Sequence, residues 1–261
     1  MTSENMKIQT VPLITQKLQS YSNSSDTLMI LGSGWNEVVN DMDIQERFGF
    51  DEVFGARTGV VGHKGELILG KLSNQLVWIM AGRFHTYEGY TSEEVTRPVQ
   101  AFAQLGVEQV ILTSASGGLN GEYQVGDIVV LNDIMTIFCQ SPIEGSDFVD
   151  LSQPFDPNLR HKAIKICQKN QINWREGVYV YMRGPHFESF SDKRALTELG
   201  ADCVGMSTVP ETIMANKLGL KVLGLSCVTN LSFVKHDHKQ VVSNAIAQSA
   251  KMMQLLTGVI G

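Results

Sequence analysis

The sequence predicts a single α/β domain, a mostly parallel or mixed β-sheet flanked by helices, and three observations carry that reading. At 261 residues with 43% hydrophobic side chains, the chain can bury a sizeable core. Short β-rich runs alternate with helical patterns along its length, the arrangement expected of strands crossing between helices. No repeat, low-complexity tract or Pro/Gly/Ser-rich linker interrupts it, so residues 1–261 read as one unit.

The elements follow in order. Val11, Ile14, Leu18 and Tyr21 recur at helical spacing and predict a first amphipathic helix. Thr27–Leu31 (TLMIL) reads as a buried strand ending at Gly32-Ser33-Gly34. Further strands are expected at Gln75–Ala81, Gln109–Thr113, Asp127–Leu131, Gly177–Met182, Asp202–Met206 and Lys221–Val228. Thr208–Leu218 reads as a helix, with Pro210 and Glu211 in its first turn and Gly219 just beyond its end. One last helix is expected from near Asp237, burying Val242, Ala245, Ile246, Ser249, Met253 and Leu256.

Charge and cysteine usage exclude several classes. The formal net charge is −6 and no Lys/Arg cluster occurs, which argues against nucleic-acid and anionic-membrane partners. The four cysteines (Cys139, Cys167, Cys203, Cys227) lack C-x-x-C spacing and read as reduced core thiols. The N-terminal residues have no apolar run resembling a signal peptide, and no stretch reaches the length of a spanning helix. A soluble, cytoplasmic protein is the expectation. His236 and His238 flank Asp237, but no third ligand stands at suitable spacing, so no metal is expected.

Polar, glycine-flanked segments recur immediately after the expected strands: GSG at 32–34, GRFHTYEGY at 82–90, SASGGLN at 114–120, GPHFES at 184–189, MST at 206–208 and TN at 229–230. Ligands of α/β sheets bind at the carboxyl ends of strands, so the segments point to one shared site. Gly32-Ser33-Gly34 can offer backbone N–H groups and a hydroxyl to a phosphate, and equally fits a tight strand-to-helix turn. It is no dinucleotide fingerprint, because Glu37 stands where a third glycine is needed, and no G-K-[ST] follows it. Arg83 and His85, two apart at a strand end, can form an oxyanion clamp, while Glu88 turns away or anchors the loop. Ser114–Gly118 permits close backbone approach to a ligand, or simply turns the chain. In Gly184–Ser189, Phe187 can stack on a flat ring while Glu188 accepts from ring N–H groups, unless Glu188 only caps the next helix. Asn230 can both donate and accept, as recognition of a neutral heterocycle requires.

Taken together, GSG, GHKGEL, GRFHTYEGY, SASGGLN, GDIVVLND, GPHFES, GADCVGMSTVPE and TN, in this order from about Leu31 to the last helix, resemble the trimeric purine nucleoside phosphorylases. The resemblance implies a phosphorylase fold with a mixed, distorted sheet, a homotrimer, and phosphorolysis of purine (deoxy)ribonucleosides with inorganic phosphate as co-substrate and no cofactor. It places phosphate at Ser33, Arg83, His85, the backbone of Ala115 and Ser207, with His63 on a loop nearby. It places the sugar at Tyr87, Met206 and His238, and the base at Phe187, Glu188 and Asn230. Glu188, Asn230 and His85 become the catalytic set, and Phe148 matches the aromatic that one subunit lends to its neighbour's sugar site. The chain departs from the family pattern at Ser114 (usually Asn), Ser189 (usually Thr), Asp133-Ile134 (commonly Asp-His), Arg183 and His186, and in a short loop from Cys139 to Phe148. The Glu188/Asn230 pair complements a 6-oxopurine, so inosine and guanosine are expected ahead of adenosine. Among the classes considered beside it, a non-catalytic nucleoside-binding protein is disfavoured by the joint presence of Arg83, His85, Glu188 and Asn230.

Overall fold

The computed structural model describes residues 7–60, 62–146, 148–232 and 238–261, without the side chains of 238 and 239. The chain opens with α1 (Val11–Leu18), where Pro12 sits in the first turn and Ile14 and Leu18 face the core. Tyr21 belongs to a separate 3₁₀ turn after it. Next come β1 (Thr27–Ile30), β2 (Asp43–Gly49), α2 (Phe50–Phe54), β3 (Glu66–Leu72) and β4 (Gln75–Ala81). Then α3 (Ser92–Gln104) is closed at its start by a Thr91/Glu94 capping box. The middle of the chain supplies β5 (Gln109–Gly118), β6 (Ile128–Met135), α4 (Pro157–Lys169) and β7 (Trp174–Tyr181). The last part holds α5 (Phe190–Glu198), β8 (Cys203–Gly205), α6 (Val209–Lys217), β9 (Lys221–Leu231), α7 (His238–Ile246) and α8 (Ser249–Ile260).

The nine strands form one mixed sheet in the order β2-β3-β4-β1-β5-β8-β7-β6-β9. A further pairing of β5 with β9 joins the far edge back to the middle, so β5, β8, β7, β6 and β9 close into a ring that leaves no edge among them. β5 makes this possible by its length. Its first half pairs in parallel with β1, Thr27 opposite Gln109 through Ile30 opposite Leu112. Its end, Gly117 and Gly118, pairs antiparallel with β8, while its whole length runs parallel to β9.

Two apolar layers lie on the sheet. One includes Trp78, Phe102, Val110 and Tyr179 with the inner faces of α1, α3 and α6. The other includes Trp35, Ile79, Ile111 and Leu223 under α4 and α8. Burial of these side chains is the main favourable contribution to folding.

Several expectations change here. SASGG does not turn after a strand at Thr113 but continues β5 to Gly118, and Thr229-Asn230 lies inside β9. β2 and β3 stand where no strand was expected. The last helix is two: α7 ends at Ile246 and α8 starts at Ser249; Ala245 and Leu256 are buried as expected, but Ile246 is exposed and Met252, Leu255 and Val259 are buried as well. Cys139 is half-buried rather than a core residue, and all four cysteines are free. Among the described residues, no helix is long and apolar enough to cross a membrane.

Gly32 marks where the sheet meets the site. A Cβ there would stand 2.7 Å from Thr113 O and 2.8 Å from Ser114 Cα, and backbone on this side of β5 cannot retreat without loosening the sheet. Gly32→Ala is therefore expected to lower the unfolding free energy by about 1–3 kcal/mol, read from urea denaturation, whereas Gly121→Ala, with open space around it, changes it little.

Candidate active site

The segments after β1, β4, β7 and β8 converge with the outer half of β5 and the end of β9 around one cleft. Ser33, His63, Arg83, His85, Tyr87, Ala115, Phe187, Glu188, Met206, Ser207 and Asn230 all line it. Thus eleven residues assigned from sequence meet at one place.

Arg83 follows β4 directly and is 2% exposed. Its Nη1 donates to Glu211 Oε1 at 3.1 Å and to Thr208 Oγ1 at 3.4 Å. Its Nη2 donates to Ile30 O at 3.1 Å and to Thr113 O. A charge so far from water needs this degree of pairing. Its Nε is buried and has no partner among the described residues, which leaves one strong donor for an acceptor in the cleft.

His85 is held by Glu88. The Glu88 carboxylate accepts from His85 N at 2.8 Å and from His85 Nδ1 at 3.1 Å, and also from Gly59 N and Thr58 Oγ1. Glu88 therefore anchors the loop rather than facing the ligand. Burial alone would raise its pKa, yet the hydrogen bonds from His85 and Gly59 hold it below the ordinary carboxylate value. With Nδ1–H committed to Glu88, Nε2 of His85 is the ring atom left for chemistry. Burial, aided by the Arg83 charge, pushes the His85 pKa below the ordinary histidine value, so the ring is neutral at pH 7.

Two rings stack beside it. His63 lies 5.2 Å from His85 between centroids, and His85 lies 4.6 Å from Tyr87. His63 Nδ1 lies 3.1 Å from Arg83 N and 3.2 Å from Arg83 O, and its Nε2 lies 3.3 Å from Ser33 Oγ. Burial raises the Tyr87 phenol well above its ordinary value, so Tyr87 acts as a hydrogen-bond donor and not as an anion.

Across the cleft, the Ser189/Asp192 capping box closes the start of α5. Glu188 is consequently not a helix cap, and its carboxylate is available to the cleft. Glu188 is 9% exposed, and burial raises its pKa above the ordinary carboxylate value. Phe187 is partly exposed beside it. Asn230 Oδ1 accepts from Thr229 Oγ1 at 3.1 Å, and Ser207 Oγ lies 3.3 Å from Thr208 Oγ1. Thr208 adopts φ 71°, ψ −48°, and Val209 N donates to Ser207 O at 2.7 Å, the strained three-residue turn rarely seen outside functional loops.

One assigned residue does not join this group. Phe148 is 98% exposed and does not line the cleft. The side chain of His238 lies outside the described residues, as do His236 and Asp237 entirely. Among the described residues, no group of three or more His, Cys, Asp or Glu can hold a metal ion. Two further residues emerge only from the structure. Glu211 and Thr208 read in sequence as helix-start residues, and the T-V-P-E run carries no sign that its glutamate pairs with Arg83.

This geometry, an anion donor set facing a carboxylate, an amide and an aromatic ring, agrees with the comparisons to known proteins. The profile of the Phosphorylase superfamily matches residues 30–261, and the chain belongs to that family. Within it the chain groups with the purine nucleoside phosphorylases, which are pentosyltransferases. It is 35% identical over 257 residues to purine nucleoside phosphorylase 1 of Bacillus subtilis, covering 93% of this chain and 94% of that protein. It is 38% identical over 234 residues to the mouse purine nucleoside phosphorylase, covering 85% and 81%. The Schistosoma mansoni isoform 2 enzyme, solved with cytosine and ribose-1-phosphate, superposes with a TM-score of 0.87 at 31% identity, covering 96% of this chain and 95% of that one.

Glu211→Gln keeps the shape of the Arg83 partner and removes its charge, so it is expected to lower the unfolding free energy by about 3 kcal/mol in denaturant titrations. His85 gives a pH signature. Its native pKa is depressed, so the unfolded chain binds the proton first as pH falls below about 6.5. This contribution to stability is present above that pH and is lost as pH falls toward the native value. His85→Gln should flatten the denaturation midpoint across that window in phosphate-free buffer.

Proposed function

We propose that the chain splits purine (deoxy)ribonucleosides with inorganic phosphate, releasing the free base and (deoxy)ribose 1-phosphate, and that it prefers the 6-oxopurines inosine and guanosine. The observation that carries this reading is that Arg83, whose buried Nε lacks a partner among the described residues, lines the same cleft as Glu188, Asn230 and Phe187.

In this reading phosphate is held by Arg83 Nε, Ser33, Ser207, the Ala115 backbone and the His63–His85 edge. The neutral His85 Nε2 accepts the proton of a monoprotonated phosphate oxygen, leaving the remaining oxygens for the donors. Tyr87, Met206 and His238 take the sugar. The C1′–N9 bond breaks with its electron pair leaving on the purine, positive charge spreads over the sugar ring, and a phosphate oxygen bonds to C1′. Asn230 donates to N7 or O6 as negative charge gathers there, while ionised Glu188 accepts from N1–H. Both interactions strengthen toward the transition state, which is what lowers the barrier. Phosphate is a co-substrate, and no step calls for another cofactor.

The base preference follows from hydrogen-bond polarity. A 6-oxopurine offers N1–H to the carboxylate and O6 to the amide, whereas adenine offers the reverse at both positions. Phe148, a large aromatic side chain almost fully in solvent, supports a homotrimer in which it covers the neighbouring sugar site.

Base release from inosine, guanosine, xanthosine and adenosine, each with and without phosphate, tests the proposal. Release of hypoxanthine and guanine only with phosphate is expected, with adenosine slower. Glu188→Gln should lower kcat/KM for inosine by about a hundredfold, and Asn230→Asp should shift the ratio toward adenosine. Release without phosphate means a hydrolase; no release means a binding protein.

A further inference from the structure

Thr208 has a conformation and a set of partners that the site described above leaves unexplained. It is 0% exposed and holds φ 71°, a region that β-branched residues rarely adopt. Its carbonyl is taken by α6, accepting from Thr212 N at 2.9 Å and from Thr212 Oγ1 at 2.8 Å. Its side chain makes no cap for that helix. Instead Oγ1 lies between two groups of the anion donor set, 3.4 Å from Arg83 Nη1 and 3.3 Å from Ser207 Oγ. Among the described residues these are its hydrogen-bond partners.

The direction of these bonds follows from which atom carries which hydrogen. A guanidinium nitrogen only donates, so Thr208 Oγ1 accepts from Arg83. The Thr208 hydrogen then has Ser207 Oγ as its acceptor. Ser207 Oγ also lies 3.5 Å from the Tyr179 hydroxyl. Gly205 leaves the room that hydroxyl occupies, since a Cβ there would stand 2.0 Å from it. Burial raises the Tyr179 phenol to about 12, so it keeps its proton at neutral pH and can donate to Ser207 as well. With both lone pairs engaged, Ser207 has its own hydrogen left for the cleft, which it lines.

We infer that Thr208 is a positioning residue for the anion: it passes a hydrogen bond from Arg83 to Ser207 and makes the Ser207 hydroxyl a committed donor to phosphate. This rests on the assignment of Ser207 to phosphate made above. Thr208 does not line the cleft, so it acts through Ser207 and not on the ligand. A hydroxyl that accepts from a cation becomes a stronger donor. The turn closed by Val209 N on Ser207 O at 2.7 Å sets the two hydroxyls side by side, in the order this requires.

The test is binding of inorganic phosphate by calorimetry at neutral pH, which needs no turnover. Thr208→Ala removes the hydroxyl and is expected to weaken binding about tenfold, the size of one hydrogen bond to a charged group. Thr208→Ser should restore it. Alanine and serine relieve the φ strain alike, so the difference between them reads the hydroxyl and not the backbone. Thr208→Val, which keeps the shape, serves as a second hydroxyl-free variant if the alanine protein does not fold. Ser207→Ala should also weaken binding, and adding Thr208→Ala to it should weaken it little further, since the relay then has no end point. Wild-type affinity in the hydroxyl-free variants, no recovery with serine, or losses that simply add overturns the relay; a loss in Ser207→Ala in the same series leaves the phosphate assignment standing. Wild-type affinity in Ser207→Ala overturns the assignment of Ser207, and no phosphate binding by the wild-type protein overturns the proposed function. The role of Thr208 falls with either.

Discussion

Arg83 leaves the end of β4 and buries its guanidinium among groups supplied by three other elements: Ile30 O at the end of β1, Thr113 O within β5, and Glu211 in the first turn of α6. In a medium of low polarity, such a charge tolerates neither a missing partner nor a displaced one. The arrangement fixes the ends of three adjacent strands and the start of a helix relative to one another. It also leaves Nε buried and without a partner among the described residues, on a side chain that lines the cleft. One side chain thereby joins the interior of the fold to the binding of an anion, and the cost of burying it is offset by bonds that also shape the site.

The rest of the cleft depends on how the sheet closes. β5 passes from β1 to β8 along one edge while keeping β9 along the other, which bends the sheet and brings the loops after β7 and β8 over the strand ends. Small residues make the bend feasible: Ser114 Oγ donates to Ser226 Oγ and Ser226 Oγ to Ser116 Oγ, satisfying three buried hydroxyls between β5 and β9. The Ser189/Asp192 box takes over the capping of α5, which leaves the Glu188 carboxylate free of that task in a cleft it lines.

Much of the sheet was legible from apolar runs such as TLMIL and QVILT, because buried parallel strands are continuous and hydrophobic. β2 was not, since DIQERFG is mostly exposed or half-buried and carries little apolar signal. β3, ELILGKL, pairs antiparallel with its neighbours, so no crossover helix announces it. SASGG looked like a turn because glycine and serine are poor strand formers, yet hydrogen bonding to β8 and β9 holds it extended. The break between α7 and α8 was hidden by a helical periodicity that runs on through both. The candidate site was more legible than the elements carrying it, since most of its residues fall in short polar segments that contain or follow a glycine.

Local patterning and short segments in a fixed order were enough to indicate the class of fold, a candidate site at the strand ends and most of the side chains assigned to it. They carried no sign that Glu211 pairs with Arg83, that Glu88 holds His85, or that Ser189 and Asp192 cap α5 in place of Glu188. Those are contacts between residues brought together by packing or by side-chain direction, and a linear pattern holds no record of which charge meets which.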